Sequence, residues 1–250
     1  MRAVLRTALT EAMRWEFLNR NPVTLTRSVR VPHSEAAWLT QEQARKLLDA
    51  VRGDRLEALF AVALGLGLRQ GEILGLRWTD VELESGHVTV NHTLHWMRDA
   101  AGAGAHWVLA EPKSKLSRRT LPLPASVTSA LREHHARQIR ERLLVGSGWQ
   151  NLAFVFTTEF GAPLDGDHVR YALRTHLARA DLASVTFHQL RHSAASLLIA
   201  EGVPLKVISQ VLGHSTITIT ANTYDHLSDE LWRGAADAMD RALGKSIARG

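Results

Sequence analysis

The chain has 250 residues, 45% of them apolar and 22% charged, with 30 Lys and Arg against 25 Asp and Glu for a formal net charge of +5. That balance carries enough apolar residue for a sizeable core and excludes wholesale disorder, while the excess of cations suits a polyanionic partner. No cysteine is present, which excludes disulfides, thiolate nucleophiles and cysteine-ligated zinc.

In chain order, residues 1–20 predict an amphipathic helix with Val4, Leu5, Ala8, Ala12, Trp15 and Leu18 as its apolar stripe, ended by Asn21-Pro22. A polar linker covers 21–38. Six arginines less two glutamates in residues 1–34 give +4 of the net +5. A lone helix cannot bury its own stripe, so this start reads as the last helix of a preceding domain. The opening MRAVLRTALTEAMRWEF is punctuated by Arg and Glu, unlike a signal peptide.

Thr40 opens the next helix as N-cap with Gln43 as its capping-box partner, and Leu47 and Leu48 form its core face. A second apolar helix follows over 55–65. The longest apolar run, 56–68, is interrupted by Glu57 and falls short of the ~20 residues that span a bilayer; a soluble cytoplasmic protein with no membrane partner is expected. Gly65, Gly67 and Gly71 then break the chain around Arg69, ahead of a short helix over 71–78. Residues 87–95, 106–110 and 118–123 alternate as three short strands, with a basic turn over 111–117 before the last. Helices are expected over 125–144, 166–180, 186–201, 204–212, 215–223 and 229–243. The fold class is α+β, mainly helical, with a small three-stranded antiparallel sheet.

Four stretches carry chemistry. Arg69 sits among glycines just before a helix, where backbone can approach an anion, and Glu72 is placed to orient it. Lys113 and Lys115 lie on the basic turn, where a lysine can reach a phosphodiester, and Arg118 and Arg119 follow. His188, Arg191 and His192 stand at i, i+3 and i+4 on one helix, opposite Leu190, Ala194, Leu197 and Leu198. Ala195 and Ser196 continue the cationic face with small side chains, which leaves room for a bulky ligand. His188 and His192 also have zinc-ligand spacing, but a hydrolase of that type needs Glu where Gln189 stands, and Arg191 repels a divalent cation. Finally, Leu212-Gly213-His214 precedes Tyr224, one of only two tyrosines, by ten residues.

In this order, GLRQGE (67–72), PKSKLSRRTLPL (112–123), HQLRH (188–192) and LGHSTITITANTY (212–224) resemble the catalytic domain of the tyrosine recombinase (phage integrase) family. The resemblance implies site-specific cutting and rejoining of DNA through a 3′-phosphotyrosyl intermediate. It makes Tyr224 the nucleophile, Arg69 and Arg191 the brackets of the scissile phosphate, and Lys113 the acid that protonates the leaving 5′-oxygen, with Lys115 as the alternative. His188 and His214 bond the phosphate or handle the tyrosine proton. Glu72 and His192 support the site, and Arg118 and Arg119 contact DNA. No cofactor or metal is implied, because the phosphotyrosyl link conserves the energy of the broken bond. The implied partner is a double-stranded DNA recombination site, bound by a tetramer that is monomeric or weakly associated when free.

The resemblance also divides the chain. Residues 1–20 become a remnant of the core-binding domain, 21–38 the linker, 39–227 the catalytic domain, and 228–250 a C-terminal helix that folds back or docks on a neighbouring protomer. With most of the clamp missing, DNA binding is expected to be impaired. Two other readings remain: a catalytically silent DNA-binding or architectural protein, and a type IB topoisomerase-like activity, from which 204–214 differs by looking more like an integrase.

Overall fold

In the computed structural model, residues 2–26, 38–98, 104–111 and 118–213 are described. The chain divides into two units, Met1–Ala36 and Ala37–Gly250.

In the first unit, helix α1 (Arg2–Arg14) is shorter than its periodicity predicts. Glu16 adopts a left-handed backbone (φ 61°), and Asn21 folds the chain back. The Asn21 amide donates to the Arg6 carbonyl at 2.8 Å and to Thr10 Oγ1 at 3.0 Å. Its Oδ1 accepts from Val23 N, capping a 3-10 turn over Pro22–Leu25. Val4, Leu5, Trp15, Phe17 and Leu18 remain exposed.

In the second unit, α2 (Gln41–Ala50) opens with the expected capping box: Thr40 Oγ1 accepts from Gln43 N at 3.3 Å, and Gln43 Oε1 accepts from Thr40 N at 2.9 Å. Helix α3 (Glu57–Leu66) is apolar on nearly every face, because it runs through the centre of the core with α5 (Ala125–Val145) and α7 (Phe187–Ala200) packed on it. Helix α4 is only Gln70–Leu74. The predicted continuation to 78 fails because the backbone is taken elsewhere: Val155 N donates to Leu76 O, and Trp78 N donates to Ala153 O, both at 2.9 Å. The apolar stretch 152–156 that supplies these partners is an irregular segment the periodicity did not single out; Ala153 is left-handed (φ 59°), and Phe154, Val155 and Phe156 lie in the core.

The strands also differ from the expected three. Strands β1 (Val81–Glu82), β2 (His87–Val90) and β5 (Arg119–Pro122) form a three-stranded antiparallel sheet in the order β1-β2-β5, while β3 (Thr93–Arg98) and β4 (Ala105–Ala110) form a separate hairpin. The run 87–95 is thus two strands. It breaks at Asn91-His92, where Asn91 Nδ2 donates to Asp80 Oδ1 at 2.7 Å and Arg118 Nε donates to Asn91 Oδ1 at 2.8 Å. Val88 stands opposite Val81 on one side and Leu121 on the other, so one face of the sheet joins the core.

Helices α6 (Gly166–Arg179), α7 and α8 (Leu205–Leu212) complete the unit. Phe187 and Leu190 of α7 enter the main core, while Ala195 and Ile199 form a second cluster with Ile208 and Leu212 of α8. The space that small side chains at 195 and 196 were expected to leave for a ligand is therefore filled, at Ala195, by the chain's own α8. The helices expected over 215–223 and 229–243 lie outside the described residues.

One core group makes the fold acid-sensitive. His134 on α5 is buried, with Nε2 2.7 Å from the Val155 carbonyl oxygen. Burial, and secondarily the charges of Arg55 and Arg137, push it down from 6.5 to about 4 despite that hydrogen bond. Between those values the unfolded chain binds a proton that the folded chain does not. The contribution is therefore complete above pH 6.5 and falls away as pH drops to about 4, a loss of about 3 kcal/mol. Urea unfolding from pH 7 to 4 should show this slope in the parent and a flatter one in His134→Gln. Parallel slopes would contradict it.

Candidate active site

The site begins at the left-handed glycine that ends α3. Gly67 has φ +60°, and a Cβ there would lie 2.6 Å from Leu212 Cδ2, so only glycine fits both the backbone and the neighbour. Arg69 follows as the N-cap residue of α4. Glu72, one turn into that helix, accepts from Arg69 N at 3.0 Å through Oε2 and from Arg69 Nη1 at 2.8 Å through Oε1. The arginine fork is thereby oriented by its own helix, with 42% of its side chain exposed.

Two further arginines reach the same place. Arg191 projects from α7, buried at 2% exposure, and donates through Nη1 to Gly67 O at 2.9 Å and through Nη2 to Leu212 O at 2.6 Å. Arg119 projects from β5 with 8% of its side chain exposed. Its Nη2 lies 3.1 Å from Glu72 Oε2, its Nη1 3.4 Å from Glu72 Oε1, and its Nε donates to Val211 O at 2.6 Å.

These contacts share a cause. The last carbonyls of a helix lack intrahelical partners and carry the negative end of its dipole. At the end of α8, three successive carbonyls each accept from a different arginine: Val211 O from Arg119, Leu212 O from Arg191, and Gly213 O from Arg69 Nη2 at 3.4 Å. Gly213 itself is left-handed (φ +67°). A Cβ there would sit 2.8 Å from Arg119 Nη1, so the glycine is required by the guanidinium as well as by the turn.

Three guanidiniums less one carboxylate leave the cluster at +2. Glu72 stays ionised within it. Burial alone raises its pKa, but the charge and hydrogen bonds of Arg119, then those of Arg69, outweigh burial and hold it below its ordinary 4.5. The histidines of α7 respond oppositely. Partial burial, then the charges of Arg191 and Arg69, lower His188; partial burial, then His188 and Arg191, lower His192. Both imidazoles are neutral at pH 7, and their rings meet edge to face with centroids 4.7 Å apart. Next to Arg69 opens a groove of about 430 Å³ lined by Gln70, His95, Trp96, Asp165 and Arg170 among others.

Six of the sequence-predicted residues thus converge: Arg69, Glu72, Arg119, His188, Arg191 and His192. Arg191 is enclosed between α3 and α8. Strand alternation puts Arg119 on the inward face of β5 with Leu121 and leaves Arg118 exposed on the other. That alternation was available in the sequence. Gln189, which argued against a zinc hydrolase, spends its side chain as the capping-box partner of Thr186, accepting from Thr186 N at 2.6 Å. Among the described residues, no group of three or more His, Asp or Glu is arranged to hold a metal, and no helix is long and apolar enough to cross a membrane. Lys113, Lys115, His214 and Tyr224 lie outside the described residues.

Comparison with known proteins gives this cluster a context. The model of the phage integrase family matches residues 37–230. A tyrosine recombinase XerC-like protein of Caldanaerobacter subterraneus subsp. tengcongensis is 36% identical over 249 residues, covering 94% of this chain and 63% of the relative. An integrase of Streptomyces ambofaciens is 34% identical over 254 residues, covering 98% and 63%. The chain thus spans 63% of the length of these two curated relatives. Among solved structures, the Tn1549 transposon integrase in complex with a circular intermediate DNA matches with a TM-score of 0.72 at 22% identity, over 93% of this chain and 77% of that one. XerA recombinase matches with a TM-score of 0.63 at 23% identity, over 88% and 69%. The structures establish the fold, and a family match running through all four motif stretches establishes the relationship: the chain belongs to the phage integrase family.

Proposed function

We propose that this chain carries the catalytic region of a site-specific tyrosine recombinase that cuts and rejoins double-stranded DNA through a 3′-phosphotyrosyl intermediate. The observation that supports this most is the convergence of Arg69 and Arg191 on the end of α8, directly before His214, which stands ten residues before Tyr224 in sequence.

In this reading the phenolic oxygen of Tyr224 attacks the scissile phosphorus. A phosphorus–oxygen bond to tyrosine forms, the bond to the 5′-oxygen breaks, and that oxygen takes a proton from Lys113, or from Lys115. Attack by a 5′-hydroxyl reverses the sequence and releases Tyr224. Phenol ionises near pH 10, so the nucleophile needs a base or a cationic field. The +2 cluster offers the field, and His188, held neutral beside Arg191, offers a proton acceptor. Charge gathers on the non-bridging oxygens in the transition state, where planar, permanently charged guanidinium forks are each worth on the order of 10²–10³ in rate. Arg69 has the accessible fork. Arg118, which is exposed, is the DNA-backbone contact in this reading, and α1 (Arg2–Arg14) is the last helix of a core-binding domain. Solved relatives include a lambda integrase tetramer bound to a Holliday junction, which supports duplex DNA as partner and a tetramer as the assembly on it.

The test is incubation of the full chain with a pool of nicked suicide duplexes of randomised sequence, followed by a denaturing gel. A covalent protein–DNA band that persists in EDTA and disappears in Tyr224→Phe is the expected result. An undiminished band in Tyr224→Phe, or none from the parent at any DNA concentration, would overturn the assignment.

A further inference from the structure

We infer that Arg119 is a positioning residue for the phosphate site, holding Glu72 and the last turn of α8 so that Arg69 can turn from its carboxylate partner to a phosphodiester. The inference rests on the recombinase reading above and goes beyond it, since Arg119 was expected to be a DNA contact.

Three observations carry it. First, Glu72 is buried and its oxygens are shared between two arginines: Arg119 meets both, while the side chain of Arg69 meets Oε1 alone. If Arg69 swings to a phosphate, Arg119 keeps the buried carboxylate paired. Without Arg119 that movement would strand a buried charge, which is strongly unfavourable. Second, Arg119 Nε ties β5 to Val211 O at 2.6 Å. The next two carbonyls of the same turn go to Arg191 and Arg69, and His214 follows. One guanidinium thus ties down the turn that immediately precedes His214 in sequence. Third, Gly213 gives up any side chain to let Arg119 pack on it, with Nη1 2.8 Å and Cζ 3.0 Å from where a Cβ would stand. A lysine could keep the charge, but not three donors fixed in one plane and aimed at two acceptor groups.

The experiment compares Arg119→Lys and Arg119→Gln with the parent, using the full chain. Four quantities are read: single-turnover adduct formation on the randomised nicked duplexes, affinity for the same duplexes by anisotropy, thermal unfolding, and hydrogen exchange of the Gly213 amide, which donates to Gln210 O at 3.0 Å. A displaced site slows the chemical step by roughly 10²-fold. That loss is expected in Arg119→Lys with DNA affinity within about twofold of the parent, together with at least tenfold faster exchange at Gly213. Combining Arg119→Lys with Glu72→Gln should add little further loss of rate. Cleavage at the parent rate with Gly213 still protected overturns the inference. So does a rate loss that only tracks the unfolded fraction in the melting curves. If the parent forms no adduct, the recombinase reading fails and the phosphate assignment with it, while the exchange data still decide whether Arg119 holds the turn.

Discussion

Replacing Arg191 by alanine is expected to lower both stability and cleavage strongly. Its guanidinium is buried and donates to Gly67 O and Leu212 O, joining the end of α3 to the end of α8. Removing it leaves both carbonyls without that charged donor. Hydrogen bonds from charged groups contribute about 1.5–3 kcal/mol each, so the expected destabilisation is about 3–5 kcal/mol, or a drop in Tm on the order of 10 °C for a chain of this size. In the proposed chemistry it also removes a transition-state cation, a further loss on the order of 10³ in cleavage. Urea unfolding and single-turnover cleavage separate the two. Arg191→Lys should recover part of the stability and little of the rate, because an ammonium cannot present two fixed donors. Parent-like cleavage by Arg191→Lys would remove Arg191 from the phosphate site.

Glu72→Leu is expected to lower stability as well. Its side chain is only 3% exposed, and its loss leaves Arg119, itself nearly buried, without its carboxylate. Breaking a buried pair from one side costs roughly 3–5 kcal/mol. The parent carries an acid signature of the same contact. Because the folded-state pKa of Glu72 lies below 4.5, its stabilisation is complete above the unfolded value and disappears as pH falls through the folded one. His134 acts higher, between pH 6.5 and about 4. The parent should therefore lose stability in two stages on acidification, and Glu72→Leu should lack the lower one. A two-stage acid limb in Glu72→Leu, measured by chemical denaturation from pH 7 to 3, would contradict this arrangement.

Much of this was legible in the residues for local physical reasons. Thr40 with Gln43 spelled a cap that forms as written, and glycines at 67 and 213 marked the left-handed ends of two helices. Glu72 three residues after Arg69 implied the ion pair that is seen. What escaped was set by tertiary partners. Strand alternation over 87–95 does not reveal that Asp80 captures Asn91 and splits the run. Periodicity over 71–78 does not reveal that residues 153–155 take the backbone of Leu76 and Trp78. Small residues on α7 read as open space until α8 is present to fill it. Adjacent arginines at 118 and 119 read alike as surface cations, although a two-residue period already placed them on opposite faces. The roles of Tyr224, His214 and the two lysines follow from family membership and remain part of the proposal.

The central proposal is that Tyr224 becomes covalently joined to DNA. The chain has only one other tyrosine, Tyr171, which is 65% exposed on α6 and serves as an internal control. The direct measurement is nuclease trimming of the denatured adduct, proteolysis, and mass-spectrometric location of the residual nucleotide. A 3′-phosphonucleotide on the peptide containing Tyr224, with Tyr171 unmodified, is the predicted result. A nucleotide on Tyr171, on a serine or on a histidine would contradict it.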